Sequence, residues 1–414
     1  MESDERTVLQ KYSHYPERLP VGGEMKILSG PIVKLFAGNY AIFGFSNVFF
    51  FLAPYLSLKG FSPSLTGWIV GVFFASSAFV KPLAGALVEK LGARNAMVLA
   101  GLLGLAGGMG LALSPDVFAA LFLLRLVMGI SFGIFLVALM AYQNVAVTDS
   151  ERGASFAVTT IGSMLPMFTL IPLCDLAIGS GHFFLYLLIP AMMGGLCSVV
   201  AFSLDKTDYS AAAEKQEGRV WGSYTDLLRE VPIVKLCISV ISYAFADAAI
   251  VYIASLAVSR GLTASFFMVA FAAGSIFMRS AGRSYFNRTP RVLILGPAMV
   301  CMGISIFFAT AVSNNILFAL AGLLYGLGVG YGFPAILSLG GDLAPMYLRP
   351  KVMSFILFFM DLSWFLLPLY MGYVSDLSDI TVAYRGLALV SVVMGIAVYI
   401  LWSGTYVRIS GNGG

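Results

Sequence analysis

Residues 81–95 read KPLAGALVEKLGARN, and this stretch decides the fold. A long apolar run ends at Pro82 and a Gly-containing turn of helix. Glu89, Lys90, Gly92 and Arg94 follow closely, and the next apolar run opens at Ala96. Gly85 is small, as residues between closely packed membrane helices are. Glu89 and the cations around it sit where the chain leaves hydrocarbon, placed to hydrogen-bond the ends of adjacent helices.

The whole chain has the same texture. Its 414 residues are enough for two or three soluble domains, but 59% are hydrophobic, 11% are charged and the mean hydropathy is +0.89, which excludes soluble domains. Twelve apolar blocks fall at about 33–57, 65–88, 95–113, 117–146, 154–174, 183–204, 232–258, 264–284, 292–311, 316–340, 352–374 and 384–404. A block of roughly 20 residues crosses about 30 Å of hydrocarbon as a helix, and lipid offers no partner for open backbone groups. The expectation is an all-α membrane protein with twelve transmembrane helices.

Cations set the orientation. With the N-terminal tail inside, 21 of the 25 lysines and arginines lie on the inner side; Lys59, Arg260 and Arg385 lie outside, and Arg125 lies within a block. Both termini are therefore expected in the cytoplasm. The expected organisation is a tail (1–31), a six-helix bundle (32–204), a central cytoplasmic loop (205–230), a second six-helix bundle (231–404) and a short tail (405–414). The central loop is polar, then amphipathic, and reads as a linker with a short surface helix. The halves echo one another. Lys81, Glu89 and Lys90 have counterparts in Arg279, Asn287 and Arg288, 198 positions later; Gly129, Gly133 and Arg152 have theirs in Gly326, Gly330 and Arg349, 197 later. Such a parallel repeat is how transporters build two bundles around a midplane site.

The net charge of +4 does not indicate nucleic acid, because the cations lie in short loops rather than along one face. Cys174, Cys197, Cys237 and Cys301 all lie in apolar blocks without CxxC spacing and read as small hydrophobes. There is no GxxxxGK[ST], so no ATP use is expected. His14 and His182 are too few for a zinc or histidine-based centre. No cofactor is expected, and residues 1–30 lack a signal-peptide pattern.

Polar groups inside the membrane cost about 2.5–3.5 kcal/mol each on insertion scales. Arg125 in the fourth block either snorkels outward, holds an anion, or lowers the pKa of a nearby carboxylate. Asp247, near the middle of the seventh block, is the foremost candidate for a titrating group, with Tyr243 one turn earlier on the same face. Its alternative is a carboxylate tied to a neighbouring helix for packing. Asp361 lies mid-block in the eleventh, with the same alternative. Asn39 and Asn47 lie on nearly one face of the first helix with Phe43 between them, facing a cavity or bonding a neighbouring helix. Tyr40, Phe43, Met164, Met167, Tyr325, Tyr331, Met360 and Trp364 are candidates to line an adaptable, partly apolar cavity, though most such residues pack or face lipid. Pro166 and Pro172 imply kinks in the fifth helix.

The pattern Gly85-x-Leu87-x-Glu89-Lys90-x-Gly92-x-Arg94 resembles the signature between the second and third helices of the major facilitator superfamily, with Glu where Asp is usual. LFLLRLVMGISFG, with Gly129 four residues after Arg125, resembles that family's helix-four motif. FFMDLSWFLLPLYMG resembles helix eleven of many bacterial exporters, with Ser363 in the usual Gly position. The fifth helix departs: GSMLPMFTLIP lacks the Gly-Pro pair that drug antiporters of this superfamily often carry there. The resemblance covers about residues 33–404. It implies the major facilitator fold and a secondary active transporter rather than an enzyme. The expected activity is proton-coupled export of a small organic molecule by alternating access. The substrate would be a drug-like compound or a secreted metabolite such as a metallophore. Asp247, Asp361 and Arg125 would couple protons. Asn39, Phe43, Asn47, Arg125, Tyr243, Asp247 and Trp364 would meet substrate. Lys81, Gly85, Glu89, Lys90, Gly92 and Arg94 would form the gating motif. The partners are a small-molecule substrate, protons and the lipid bilayer, with a monomer as the expected state and the bacterial inner membrane as its place. Uptake of an organic anion or sugar-like solute with protons is the alternative direction, and a membrane-embedded enzyme or sensor the remote one.

Overall fold

The computed structural model describes residues 30–114, 116–146, 159, 161–205, 224–281, 289, 291–345 and 347–410. Every regular element among them is helical. Among the described residues, ten helices are long and apolar enough to span a membrane: α1 (Ile32–Leu58), α2 (Pro63–Leu91), α3 (Ala93–Leu113), α4 (Phe118–Gln143), α5 (Ile161–Gly179), α6 (Phe183–Ser203), α7 (Ile233–Ser259), α10 (Asn315–Leu343), α11 (Lys351–Leu377) and α12 (Ile380–Ser403). Two further apolar helices, α8 (Ala264–Ser280) and α9 (Leu293–Ala309), are shorter within the described residues. The tail before Gly30, the linker over 206–223, and Arg152, Asn287 and Arg288 lie outside the described residues. The surface helix expected after the linker appears as Tyr224–Glu230. Its Glu230 accepts a hydrogen bond from Tyr347 in the α10–α11 turn, and that carboxylate pushes the Tyr347 hydroxyl up to about 12.

The repeat is written in contacts as well as in letters. Gly129 of α4 lies against the Phe73 carbonyl of α2, and Gly326 of α10 against the Phe271 carbonyl of α8, so close that a Cβ on either would collide with backbone. Small residues let membrane helices approach in this way. The turn after α1, Lys59-Gly60-Phe61-Ser62-Pro63-Ser64, is answered after α7 by Arg260-Gly261-Leu262-Thr263-Ala264-Ser265, 201 positions on. Both glycines have positive φ, 83° and 65°. The next amide then reaches back in the same way in each: Phe61 N to Leu56 O at 3.1 Å and Leu262 N to Ala257 O at 2.8 Å.

α1 and α7 share a further irregularity. Each runs as α-helix to Asn47 or Asp247, then tightens into a 3-10 stretch, Val48–Phe51 or Ala248–Tyr252, before resuming as α-helix. The tightening frees carbonyls that lipid cannot satisfy, and tyrosines take them up. Tyr186 of α6 donates to Val48 O at 3.2 Å, and Tyr384 of α12 to Ala249 O at 2.7 Å. Tyr325 of α10 adds bonds to Ala246 O and Asp247 O, at 2.9 and 2.5 Å. Tyr325 thus packs inside the second half and does not line a cavity.

Between the halves, α2 lies along α11, α5 meets α8, and α1 meets α7 chiefly through Val48–Leu58 and Ala248–Ser259. The segments Gly30–Asn47 and Ile233–Asp247 make no contact of comparable extent. The halves are therefore joined toward the end that carries Lys59, and α1 and α7 part toward the end that carries Lys90.

Candidate functional site

The polar centre of the molecule is Asp247. It is the last residue of the α-helical part of α7 and is 7% exposed. Its carboxyl lies near the Trp364 indole and the Tyr243 hydroxyl, which has no hydrogen-bond partner, and the Arg279 guanidinium of α8 is its countercharge. Arg279 reaches inward over the Phe333 ring at 5.8 Å, and its Nε has no hydrogen-bond partner. Trp364 of α11 turns its other edge to the first half, 5.1 Å from Phe74 and 6.5 Å from Phe50. An acid, a cation and an indole of the second half thus stand together, and the indole is the member that packs on aromatic rings of the first half. Such a site can hold or release a proton and can bind an amphiphile's charged end beside its apolar body.

Asp361 lies one turn from Trp364 toward the Lys90 end. Its Oδ2 takes the Lys81 Nζ at 2.5 Å and the Ser77 hydroxyl at 3.1 Å, both from α2. The pair is 13% and 17% exposed and ties the two halves together. Lys81 opens the loop motif in the sequence, yet its side chain joins this inter-half pair instead of the loop.

Arg125 stands elsewhere. It is 1% exposed, inside the first half, with its guanidinium 4.1 Å from the Phe49 ring and 4.4 Å from the Phe73 ring. Nε and Nη2 approach the Ile69 and Val70 carbonyls at 3.5 and 3.4 Å, and Nη1 has no partner. Arg125 therefore does not snorkel, and the structure does not bring it to Asp247 or Asp361. It sits on the face of α4 that looks to α1 and α2. The expectation that it lowers the pKa of a nearby carboxylate finds no carboxylate beside it among the described residues.

Of the other expected site residues, Asn39 donates to Leu35 O of its own helix at 3.1 Å and is 7% exposed, so it is tied to backbone rather than to a cavity. Asn47 is buried at the start of the 3-10 stretch and does not cap it with its side chain. Phe43 packs edge-on against Phe132 at 6.1 Å, and Tyr40 bonds Thr169 at 2.9 Å, both within the first half.

In the loop motif, Gly92 has φ 77° and turns the chain between α2 and α3. Arg94 donates to Phe202 O of α6 at 2.7 Å and stacks on the Phe202 ring. Gly85 meets nothing within 4 Å of a built Cβ, contrary to the close approach expected there. Glu89 and Lys90 are exposed, and neither has a hydrogen bond or ion pair among the described residues. Among the described residues, the members of this motif bonded to another helix are Lys81, to α11, and Arg94, to α6.

Arg279 was not legible as a site residue. Its spacing from Lys81 marked it only as a second cation at a helix end. The one available hint was that Arg279 stands eight residues before Asn287, as Lys81 stands eight before Glu89.

Solved structures match the fold over nearly all of the chain. A peptide transporter POT in complex with sulfate superposes with a TM-score of 0.73 at 18% identity, covering 97% of this chain and 98% of that one. A D-xylose–proton symporter gives 0.74 at 13% identity, covering 89% and 96%. The xylose transporter XylE from E. coli in its inward-open conformation gives 0.72 at 11% identity, covering 89% and 95%. Among curated proteins, none matches the sequence. The family model described as Major Facilitator Superfamily matches residues 35–368, and the chain belongs to that family of transporters.

Proposed function

We propose that this chain is a secondary active transporter that couples inward proton movement to export of a small organic molecule. The solute is a drug-like compound or a secreted metabolite such as a metallophore. Twelve spans in two bundles (32–204 and 231–404) carry it by alternating access, with both termini in the cytoplasm and the protein a monomer in a bacterial inner membrane. The observation that carries the reading is the placement of Asp247, a carboxylate at the seam, under a tryptophan whose other face packs on the opposite half. When the halves rock, its surroundings change, and a carboxyl whose surroundings change can take a proton on one side and lose it on the other. A proton moving inward supplies about 2.3 kcal/mol per 100 mV. Asp361 is the second coupling group, because its partner Lys81 is on the half that moves relative to it. The Glu89 loop latches the cytoplasmic side in the opposite state.

Proton-coupled uptake is the second reading. It is favoured by the D-xylose–proton symporter among the structures of like fold, and by Arg279 as a ready partner for an anionic solute. Proteoliposomes with an imposed pH gradient, loaded with candidate solutes identified by metabolite and drug-susceptibility profiling of a deletion strain, decide between the two. Export predicts solute leaving cells or moving against the proton flux. Solute moving with the protons discards export, and no gradient-driven movement of any profiled solute discards proton coupling.

A further inference from the structure

Two carboxylates near the Lys59 end make the same unusual bond. Asp175 Oδ2, on α5 of the first half, accepts the Ser265 backbone N–H at the start of α8, at 2.7 Å. Asp376 Oδ2, on α11 of the second half, accepts the Ser64 backbone N–H at the start of α2, at 2.9 Å, and the Ser64 hydroxyl as well. Ser64 and Ser265 are 201 positions apart, and so are Asp175 and Asp376. Each half therefore lends an acid to the first turn of a helix in the other. The local cap of α2 is already supplied by Ser62, whose hydroxyl takes the Leu65 amide at 3.4 Å, so Asp376 answers a different amide.

Neither acid is well placed for its own helix. Asp175 lies in the last turns of α5, which ends at Gly179, and Asp376 in the last turn of α11, which ends at Leu377. A carboxylate there opposes the negative end of its own helix dipole, whereas the open amides of a helix start attract it. What explains both positions is the partner half. The two bonds also flank the α1–α7 contact: α1 touches α2 and α5, and α7 touches α8 and α11.

We infer that these reciprocal cross-half caps are the gate that holds the Lys59 face shut, and that both must release for that face to open. The inference rests on the alternating-access reading above. Charge-assisted bonds of this kind are the strong class. Removing one acid is expected to raise the open-to-closed ratio about tenfold, and removing both about a hundredfold.

The test uses the full chain in lipid nanodiscs, with Cys174, Cys197, Cys237 and Cys301 replaced by Ser. Nitroxide labels are placed on Leu58→Cys and Val258→Cys, both exposed at the ends of α1 and α7. Double electron–electron resonance then reads the distance between the halves. Expected is a short-distance population in the parent, a partial shift to longer distances in Asp175→Ala and in Asp376→Ala, and a predominant shift in the double variant. Asp175→Asn with Asp376→Asn, which keeps shape and an acceptor oxygen, is expected to shift less in the same direction; it serves if the alanine variants do not fold. A double variant of either kind, folded and within twofold of the parent ratio, overturns the gate. Proton-driven transport is measured separately on the same protein. Unmoved distances in the variants with intact transport by the parent overturn the gate alone, whereas a parent that carries no profiled solute overturns the transport reading and leaves moved distances as evidence only that the caps latch the two halves.

Discussion

Lys81 and Asp361 belong to different halves of the molecule and share one 2.5 Å ion pair, with Ser77 donating to the same carboxylate oxygen. The pair is mostly shielded, so breaking it leaves a charge poorly solvated on one wall. Its strength depends on how the two halves stand relative to one another.

For that reason Lys81→Ala and Asp361→Ala are each expected to lower thermal stability in detergent, by about 1–3 kcal/mol. The double variant is expected to cost clearly less than the two singles together. Melting curves of the four proteins check this. Additive losses would mean that the two groups do not depend on one another.

Asp247→Asn is expected to abolish or uncouple proton-driven transport in proteoliposomes carrying a pH gradient, while folding is retained, because the amide keeps the shape but cannot titrate. Transport at the parent rate, with its pH dependence intact, would remove Asp247 from the mechanism.

Arg279→Gln separates the roles around that carboxylate. With its countercharge gone, the charged form of Asp247 is disfavoured, so the pH profile of transport is expected to move to higher pH. If Arg279 meets the solute instead, KM for an anionic solute rises about tenfold or more and the profile stays put. No change in either quantity makes Arg279 a packing residue.

Arg125 invites a different comparison. A buried cation without an anion is a poor stabiliser, and apolar replacements of buried charges are often neutral or stabilising. Arg125→Met is therefore expected to melt within about 1 kcal/mol of the parent or above it, yet to transport poorly. Arg125→Lys should not rescue transport, since a point charge cannot lie flat between Phe49 and Phe73. A variant of either kind with normal transport would leave Arg125 only a packing role.

The orientation is open to a direct check. With the native cysteines removed, Lys59→Cys should react with a membrane-impermeant maleimide added to intact cells, and Lys90→Cys only after lysis. The reverse pattern would invert the membrane topology.

The twelve apolar blocks and the paired glycines were readable because lipid imposes a composition and a length that need no tertiary knowledge. Gly129 and Gly326 took equivalent places against Phe73 and Phe271 as the spacing implied. The site was less legible. Asp247 and Asp361 stood out because a carboxylate in an apolar block is rare, but nothing local says which helix supplies the partner. Lys81 and Arg279 looked like loop cations, and only the packing of α2 on α11 and α8 on α10 turns them inward. Arg125 is the opposite case. Its rarity suggested the central crevice, whereas two rings and two carbonyls inside one half account for where it lies. The reciprocal caps at Ser64 and Ser265 use backbone amides, which carry no sequence signal of their own.

Asn47 and Asp247 close the α-helical part of α1 and α7 at equivalent points, 200 positions apart, each just before a 3-10 stretch steadied by a tyrosine. Duplication furnished two matching shoulders, but one ends in an amide and the other in an acid. The two-fold frame is therefore broken in charge at this matched pair, a neutral amide answering an acid.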